Sequence, residues 1–134
     1  GVPQIFVPGG MDYIVQGKEE DIAPRFSGRP FYPHNPVTVL VRTSGDEMER
    51  IGDFVAEKLN RSRGRVYVLI PARGFSMYCH PGEPLHDPEA DARLIKTLKE
   101  KLSPEVHYEE LDSHINDENF ARRVFEVALG AIGG

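Results

Sequence analysis

The stretch Val37-Thr38-Val39-Leu40-Val41-Arg42-Thr43-Ser44-Gly45 decides the predicted fold. Its first five residues form a continuous apolar and largely β-branched run, which is typical of a strand covered on both faces. A charged, hydroxyl-bearing turn follows at once, and Glu47 stands three residues after Ser44, the spacing of a helix capping box. The sequence therefore predicts a strand that runs directly into a helix.

Further strands are predicted on both sides of this unit. Short apolar runs at 4–7 and 66–70 indicate two more buried strands, and the alternating run at 106–111 indicates an edge strand with one wetter face. Residues 8–36, rich in proline and glycine, separate the first strand from the second, and a short helical turn is expected near 21–26.

Two more helices are predicted between and after these strands. Asp87, with Pro88 behind it, predicts the start of one helix, and Asn116 predicts the start of the last. Because strands alternate with helices, we expect crossover connections and a parallel arrangement. The predicted fold is a three-layer α/β sandwich with a mainly parallel sheet of about four strands, a Rossmann-like half, in a single domain of residues 1–134.

Composition narrows the class of protein. The chain has 134 residues and a net charge of −5, and it carries no basic stripe, so we expect no nucleic-acid partner. No apolar run approaches the roughly 18 residues of a membrane span, so no membrane partner is expected. Cys79 is the only cysteine and cannot form an intrachain disulfide, which favours the cytoplasm.

Polar turns follow four of the predicted strands. In a parallel sheet the carboxyl ends of the strands lie along one edge, and ligands bind outside that edge. We therefore expect these turns to converge on a site for a small anionic ligand. The predicted ligand-binding residues are Gly9, Gly10, Asp12, Arg42, Thr43, Ser44, Arg73, Gly74, Ser76, Asp112 and Asn116.

Each of these turns also has an ordinary structural interpretation. The turn with Gly9 and Gly10 could offer backbone N–H groups to an anion or could be a tight turn alone. The residues Thr43 and Ser44 could bind an anion at a helix start or could only cap the helix. A buried arginine needs a counter-charge, so Arg42 is expected to meet either a ligand phosphate or an internal aspartate.

Histidines supply the candidates for proton chemistry. His34, His86 and His114 fall in segments placed near the predicted ligand edge and could act as a general base. No HxH or HExxH spacing occurs, so no dedicated metal site is predicted. Ser76 lacks the nucleophile-elbow pattern and is not predicted to be a nucleophile.

Six ordered motifs resemble one known family. They lie at residues 1–12, 31–36, 41–43, 71–76, 85–91 and 112–117. Together they resemble the ATP-binding family named for the tomato mosaic virus resistance protein. The resemblance implies two Rossmann-like subdomains, of which this chain is similar to the C-terminal one. It implies a missing N-terminal subdomain as partner, ATP as a candidate ligand and Mg²⁺ as its candidate companion.

Three functions follow from these patterns. The first is a nucleotide- or phosphometabolite-binding subdomain of a cytoplasmic protein, which is expected to form a homo-oligomer. The second is a hydrolase or lyase acting on a small anionic metabolite, with a histidine base and with Arg42 and Arg73 as anion clamps. The third is a non-catalytic interaction module that uses the apolar residues of 13–35 as its partner surface.

Overall fold

The computed structural model describes all 134 residues, and it contains six strands and three helices. The strands are β1 (Gln4–Phe6), β2 (Tyr13–Gln16), β3 (Phe31–Asn35), β4 (Thr38–Arg42), β5 (Val66–Pro71) and β6 (His107–Leu111). The helices are α1 (Gly45–Asn60), α2 (Pro88–Lys101) and α3 (Glu118–Gly133). The α/β class predicted from the sequence is confirmed.

A three-stranded parallel sheet forms the centre of the molecule, in the order β1-β5-β6. Strand β5 pairs with β1 through Ile5 and Tyr67, and with β6 through Leu69 and Glu109. The continuous apolar run of β5 fits its middle position, since both of its edges are paired and both faces are covered. Strand β6 lies at the edge of this sheet, as its alternating sequence predicted.

Strand β4 does not belong to that sheet, so the four-stranded Rossmann-like layout is not found. It is the middle strand of a second, antiparallel sheet with the order β2-β4-β3. Both partners come from residues 8–36, where the sequence predicts no strand. The helical turn expected near 21–26 consists of two short 3₁₀ turns, Glu19–Asp21 and Pro24–Phe26. An apolar run shows that a strand is buried, but it carries no information about the direction of its neighbours.

The helix starts follow the predicted capping chemistry at two of three places. Ser44 caps α1 in a capping box with Glu47, and Asp87 caps α2 by accepting a hydrogen bond from the Ala90 amide. The predicted cap at Asn116 is wrong, because Asp117 occupies the N-cap position of α3. The backbone N–H of Asn116 donates instead to the ring of His114.

The parallel sheet is covered on both faces, which gives the three layers. On one face α1 and α2 pack against Val68 and Ile70, and Met48, Leu94 and Leu98 are fully buried there. On the other face α3 packs its Phe120 and Val127 against Leu69, where they form a smaller cluster. None of the three helices is both long enough and apolar enough to cross a membrane.

The closest helix packing generates a test with two matched glycines. A Cβ added to Gly52 of α1 would lie 2.8 Å from the Cβ of Thr97 in α2, whereas a Cβ on Gly130 of α3 would meet nothing within 4 Å. We expect Gly52→Ala to lower the free energy of unfolding by about 1–3 kcal/mol because it overpacks the helix contact. We expect Gly130→Ala to raise it by about 0.5–1 kcal/mol because alanine favours a helix interior.

Urea unfolding followed by circular dichroism measures both variants. Equal effects of the two substitutions would contradict the packing of α1 on α2 described above.

Candidate functional site

The polar turns do converge, and the guanidinium of Arg42 lies at their centre. Arg42 ends β4 and is only 2% exposed. Its Nη2 donates to Asp91 Oδ1 of α2 at 2.5 Å and to the Asp87 carbonyl at 2.9 Å, and its Nη1 donates to the Asp12 carbonyl at 2.8 Å. The fork of Arg42 is therefore satisfied by internal acceptors, the alternative to a ligand anion that the sequence left open.

Two neighbouring hydroxyl groups complete this buried cluster. Ser76 Oγ donates to Asp12 Oδ2 at 2.7 Å, and Thr43 Oγ1 donates to the Met11 carbonyl at 2.8 Å. Asp12 is fully buried, and its Oδ1 has no hydrogen-bond partner. These contacts join the turn after β1, the end of β4 and the loop after β5.

Burial sets the electrostatics of the cluster. It raises the pKa of Asp91 above the usual range of an aspartate, although Arg42 acts in the opposite direction. It also raises the pKa of the Cys79 thiol, with the Asp12 carboxylate as a further cause, so Cys79 is a poor nucleophile. One arginine thus lies between two buried carboxylates, Asp12 and Asp91, and a dry site of this kind is sensitive to the loss of its cation.

The predicted anion-binding turns use their amides internally. The N–H of Gly9 donates to the Val7 carbonyl and that of Gly10 to the Phe75 carbonyl, at 2.8 and 3.0 Å. Gly10 has a φ of 68°, which glycine adopts without strain. Ser44 is occupied as the cap of α1. The structure therefore gives these residues the structural roles of a tight turn and a helix cap.

A polar cleft of about 520 Å³ lies beside the buried cluster. It is bounded by the loop after β5, the start of α2 and the turn between β6 and α3. Six of its nine lining residues carry polar side chains. The lining residues are Ala72, Arg73, His80, Pro81, His86, Pro88, Asp91, His114 and Asp117.

His114 forms the buried wall of this cleft. The side chain is 3% exposed, and its Nε2 lies 2.7 Å from the Ser76 carbonyl. Its Nδ1 accepts the backbone N–H of Asn116 at 3.1 Å. Gly74 packs against it so closely that a Cβ there would lie 2.7 Å from His114 Cδ2. Gly74 is thus needed to seat this ring.

Two other histidines face the same cleft without fixed polar partners. His80 stacks on His114 with ring centroids 3.7 Å apart and an interplanar angle of 20°. His86 lies opposite, at the end of the same loop. Neither ring makes a hydrogen bond to the protein, so their nitrogens are free to meet a ligand.

The charged groups at the mouth of the cleft form one exposed pair. Arg73 makes a bidentate contact with Asp112, at 2.6 and 3.0 Å, and the pKa of Asp112 lies below its usual range because of this arginine. Asp117 makes no cap hydrogen bond to α3 and accepts instead from the His114 amide at 2.8 Å. The first amides of α3 therefore lack a side-chain acceptor beside the cleft.

A second groove has a different character. It lies between β2 and α1, has a volume of about 470 Å³, and is lined mainly by Met11, Tyr13, Ile14, Ile51 and Phe54. It offers few polar groups to orient a ligand. We locate the candidate site in the histidine cleft because convergent polar groups are what fix a small ligand in place.

The structure sorts the predicted site residues into separate groups. Arg73, His86 and His114 line the cleft, and Asp112 pairs with Arg73 at its mouth. His34 is on β3, away from the cleft, and bonds to the Tyr78 hydroxyl at 3.0 Å. The remaining predicted residues form the buried cluster or the turns around it: Gly9, Gly10, Asp12, Arg42, Thr43, Ser44, Gly74, Ser76 and Asn116.

Sequence reasoning did not select three of the six polar cleft residues, His80, Asp91 and Asp117. For Asp91 a signal existed, because it lies three residues before Leu94 and seven before Leu98, on the buried face of α2. A charge on an apolar stripe indicates a buried partner. Nothing local distinguished His80, because its role depends on stacking with a residue 34 positions later.

A comparison with protein families matches residues 1–132 to the C-terminal domain of the uncharacterised protein family UPF0261. The chain belongs to this family. UPF0261 proteins of Brucella melitensis and Clostridium tetani are 32% and 37% identical to it, over 95% and 90% of its length. The ToMV resistance protein Tm-1 of Solanum lycopersicum is 32% identical over 96% of the chain.

The relatives are much longer than this domain. The chain spans 30% of the length of the two UPF0261 proteins and 17% of the tomato protein. The resemblance drawn from the six motifs is therefore confirmed at the level of the family, and this chain corresponds to the C-terminal part of larger proteins.

The contribution of the buried cluster to stability can be tested by comparing Arg42, which contacts α2, with Arg93, which lies on α2. Arg42→Ala leaves the buried carboxylates of Asp12 and Asp91 without their cation, and we expect the free energy of unfolding to fall by about 3–5 kcal/mol. Arg93→Ala removes only exposed pairs with Asp46 and Glu49 and should have a much smaller effect. Urea unfolding at neutral pH measures the difference. Similar losses for both variants would show that Arg42 does not stabilise the fold in the way described.

Proposed function

We propose that this UPF0261 domain binds a small phosphate-bearing ligand, a nucleotide or a phosphometabolite, in the histidine cleft. The observation that carries the proposal is the presence of Arg73 and two unbonded imidazoles, His80 and His86, around one polar cleft. Arginine and histidine are donors suited to phosphate oxygens, and the uncapped start of α3 adds backbone amides on the same side.

Arg73 is the residue that we expect to bind the phosphate first. It is 65% exposed, and its present partner Asp112 is 82% exposed, so the pair is open to water and to exchange. A phosphate can accept the same two parallel hydrogen bonds as the carboxylate. Arg42 has no such freedom, since it is buried and both of its Nη atoms already donate to internal acceptors, and we therefore exclude it from the proposed ligand contacts.

The two aspartates of the cleft favour a phosphate that carries a bound cation over a bare phosphate. Asp91 is held by Arg42, but Asp117 is exposed and would repel a bare phosphate. A Mg²⁺ ion that arrives with the phosphate would remove this repulsion, since oxygen ligands and substrate phosphates are its usual partners. For this reason we propose a Mg²⁺-bound nucleotide such as ATP as the first ligand to test.

The proposal extends to the longer proteins of the family. In them we propose that the N-terminal part of the chain closes the open side of the cleft and that the whole acts in the cytoplasm. Assembly into a homo-oligomer stays a prediction, which light scattering tests.

A second candidate function is favoured by the same free imidazoles. A histidine with an unbonded ring nitrogen beside an anion clamp can take a proton from a bound metabolite, as a hydrolase or lyase requires. We rank it below ligand binding because no nucleophile or second proton-transfer group is aligned with either ring.

An interaction role has less support. The apolar residues of 13–35 largely cover the domain's own sheet, since Phe26 packs on Val39 and Val41 while Tyr13 and Tyr32 pack near Leu40.

Calorimetry with two arginine variants tests the proposed function. The titrants are ATP with Mg²⁺, ATP alone and inorganic phosphate. We expect Arg73→Ala to raise the Kd of the best ligand by about tenfold or more, because a bidentate charge-assisted contact is lost. The control Arg61→Ala removes an equally exposed arginine that pairs with Glu57 outside the cleft, and it should leave the Kd unchanged. Absence of heat with all three titrants, or equal effects of the two variants, would rule the proposal out.

A further inference from the structure

We propose that His80 is the residue that donates a hydrogen bond and a positive charge to the bound anion, and that His114 beneath it is a neutral platform. The inference rests on the proposed function, and it names the imidazole of the cleft whose orientation the fold sets before a ligand binds. Sequence reasoning pointed to His34, His86 and His114 instead.

The hydrogen bonds of His114 fix its protonation. Its Nε2 faces the Ser76 carbonyl, an acceptor, so this nitrogen carries the hydrogen. Its Nδ1 receives the Asn116 amide, a donor, so this nitrogen carries none. A second proton would remove the acceptor of the Asn116 amide and place a charge in a buried position. His114 is therefore held as the neutral Nε2–H tautomer and is unsuited to act as the base.

The surroundings of His114 also fix the ring in space. Gly74 contacts it from one side, at a backbone position with a φ of 148° that disfavours other residues. The carboxylate of Asp117 accepts a hydrogen bond from the backbone amide of His114. The ring of His114 thus cannot rotate without breaking its hydrogen bonds to the Ser76 carbonyl, in the loop after β5, and to the Asn116 amide, before α3.

His80 takes its orientation from this platform and keeps its nitrogens free. The two rings are nearly parallel, at 20° and 3.7 Å, so the plane of the exposed His80 ring is set by the buried one. Both nitrogens of His80 point along that plane and have no protein partner. His86 lines the same cleft but has no ring stacked against it, so its plane is not fixed in this way.

Ionisable side chains surround His80 from every side of the cleft. They are Arg73 after β5, His86 and Asp91 at the start of α2, and His114 and Asp117 between β6 and α3. Arg73 is paired with Asp112 and Asp91 with Arg42, which leaves Asp117 as the charge without a salt bridge. An arriving anion adds negative charge beside His80, and a protonated imidazole there would donate a charge-assisted hydrogen bond to it.

Sulfate is the probe for this coupling, because its charge does not change between pH 5.5 and 8. We expect the sulfate affinity of the unmodified protein to fall by about tenfold as the pH rises across this range, the loss of one charge-assisted hydrogen bond. His80→Gln should flatten the pH profile. The variant His86→Gln changes the other free imidazole of the cleft, so it should weaken sulfate binding, but it should leave the pH profile steeper than it is in His80→Gln.

Nitrogen NMR of the imidazoles gives an independent readout. His114 should keep its neutral Nε2–H form, whereas the ring nitrogens of His80 should shift toward the charged form when sulfate is added at a fixed pH. The backbone spectrum of each variant verifies that it is folded.

The outcomes separate the inference from the proposed function. Sulfate binding whose pH profile survives in His80→Gln, or follows His86→Gln, overturns the inference and leaves the anion site standing. Titration of His114 in the folded protein also overturns the inference. Failure of sulfate, phosphate and ATP alike to bind overturns both.

Discussion

The whole arrangement depends on one buried ion cluster, in which Arg42 connects three parts of the chain. Arg42 is the last residue of β4 in the antiparallel sheet. Its guanidinium donates hydrogen bonds to the carboxylate of Asp91 in α2 and to the backbone carbonyl of Asp12, which follows β1. The two sheets share no strand, so contacts of this kind must fix their relative position. Burying such charges is costly, and the cost is recovered only if every partner is in place. The cluster therefore favours a single relative position of the sheets over looser alternatives.

The cleft follows from that position. Ser76, held by the Asp12 carboxylate, presents its carbonyl to His114, and His114 in turn supports His80. A chain of contacts thus runs from the buried carboxylate to the exposed ring at the mouth of the cleft. Many of the predicted site residues are buried because they fix the positions of the loops that carry the cleft residues.

Sequence reasoning found four of the six strands, two helix starts and the meeting of the polar turns, because apolar runs and capping residues are local signals. It placed β4 in the wrong sheet, because the direction of pairing is decided by β2 and β3, whose short, punctuated sequence is weakly patterned. It assigned Arg42 to a ligand or an aspartate without deciding, because that choice depends on Asp91, 49 positions away. It missed His80 for the same reason, since stacking is a property of three-dimensional neighbours.

The stacked rings of His80 and His114 differ in their hydrogen bonding. Two imidazoles that touch face to face are a poor use of charge if both can be protonated, because like charges at 3.7 Å repel. The contact is tolerable when one ring is held neutral, and the Ser76 carbonyl and the Asn116 amide hold His114 in that state. The fixed ring then sets the plane of its exposed neighbour, His80. The backbone alone supplies the hydrogen bonds that give His114 this structural role, and His80 keeps its ring nitrogens without a protein partner.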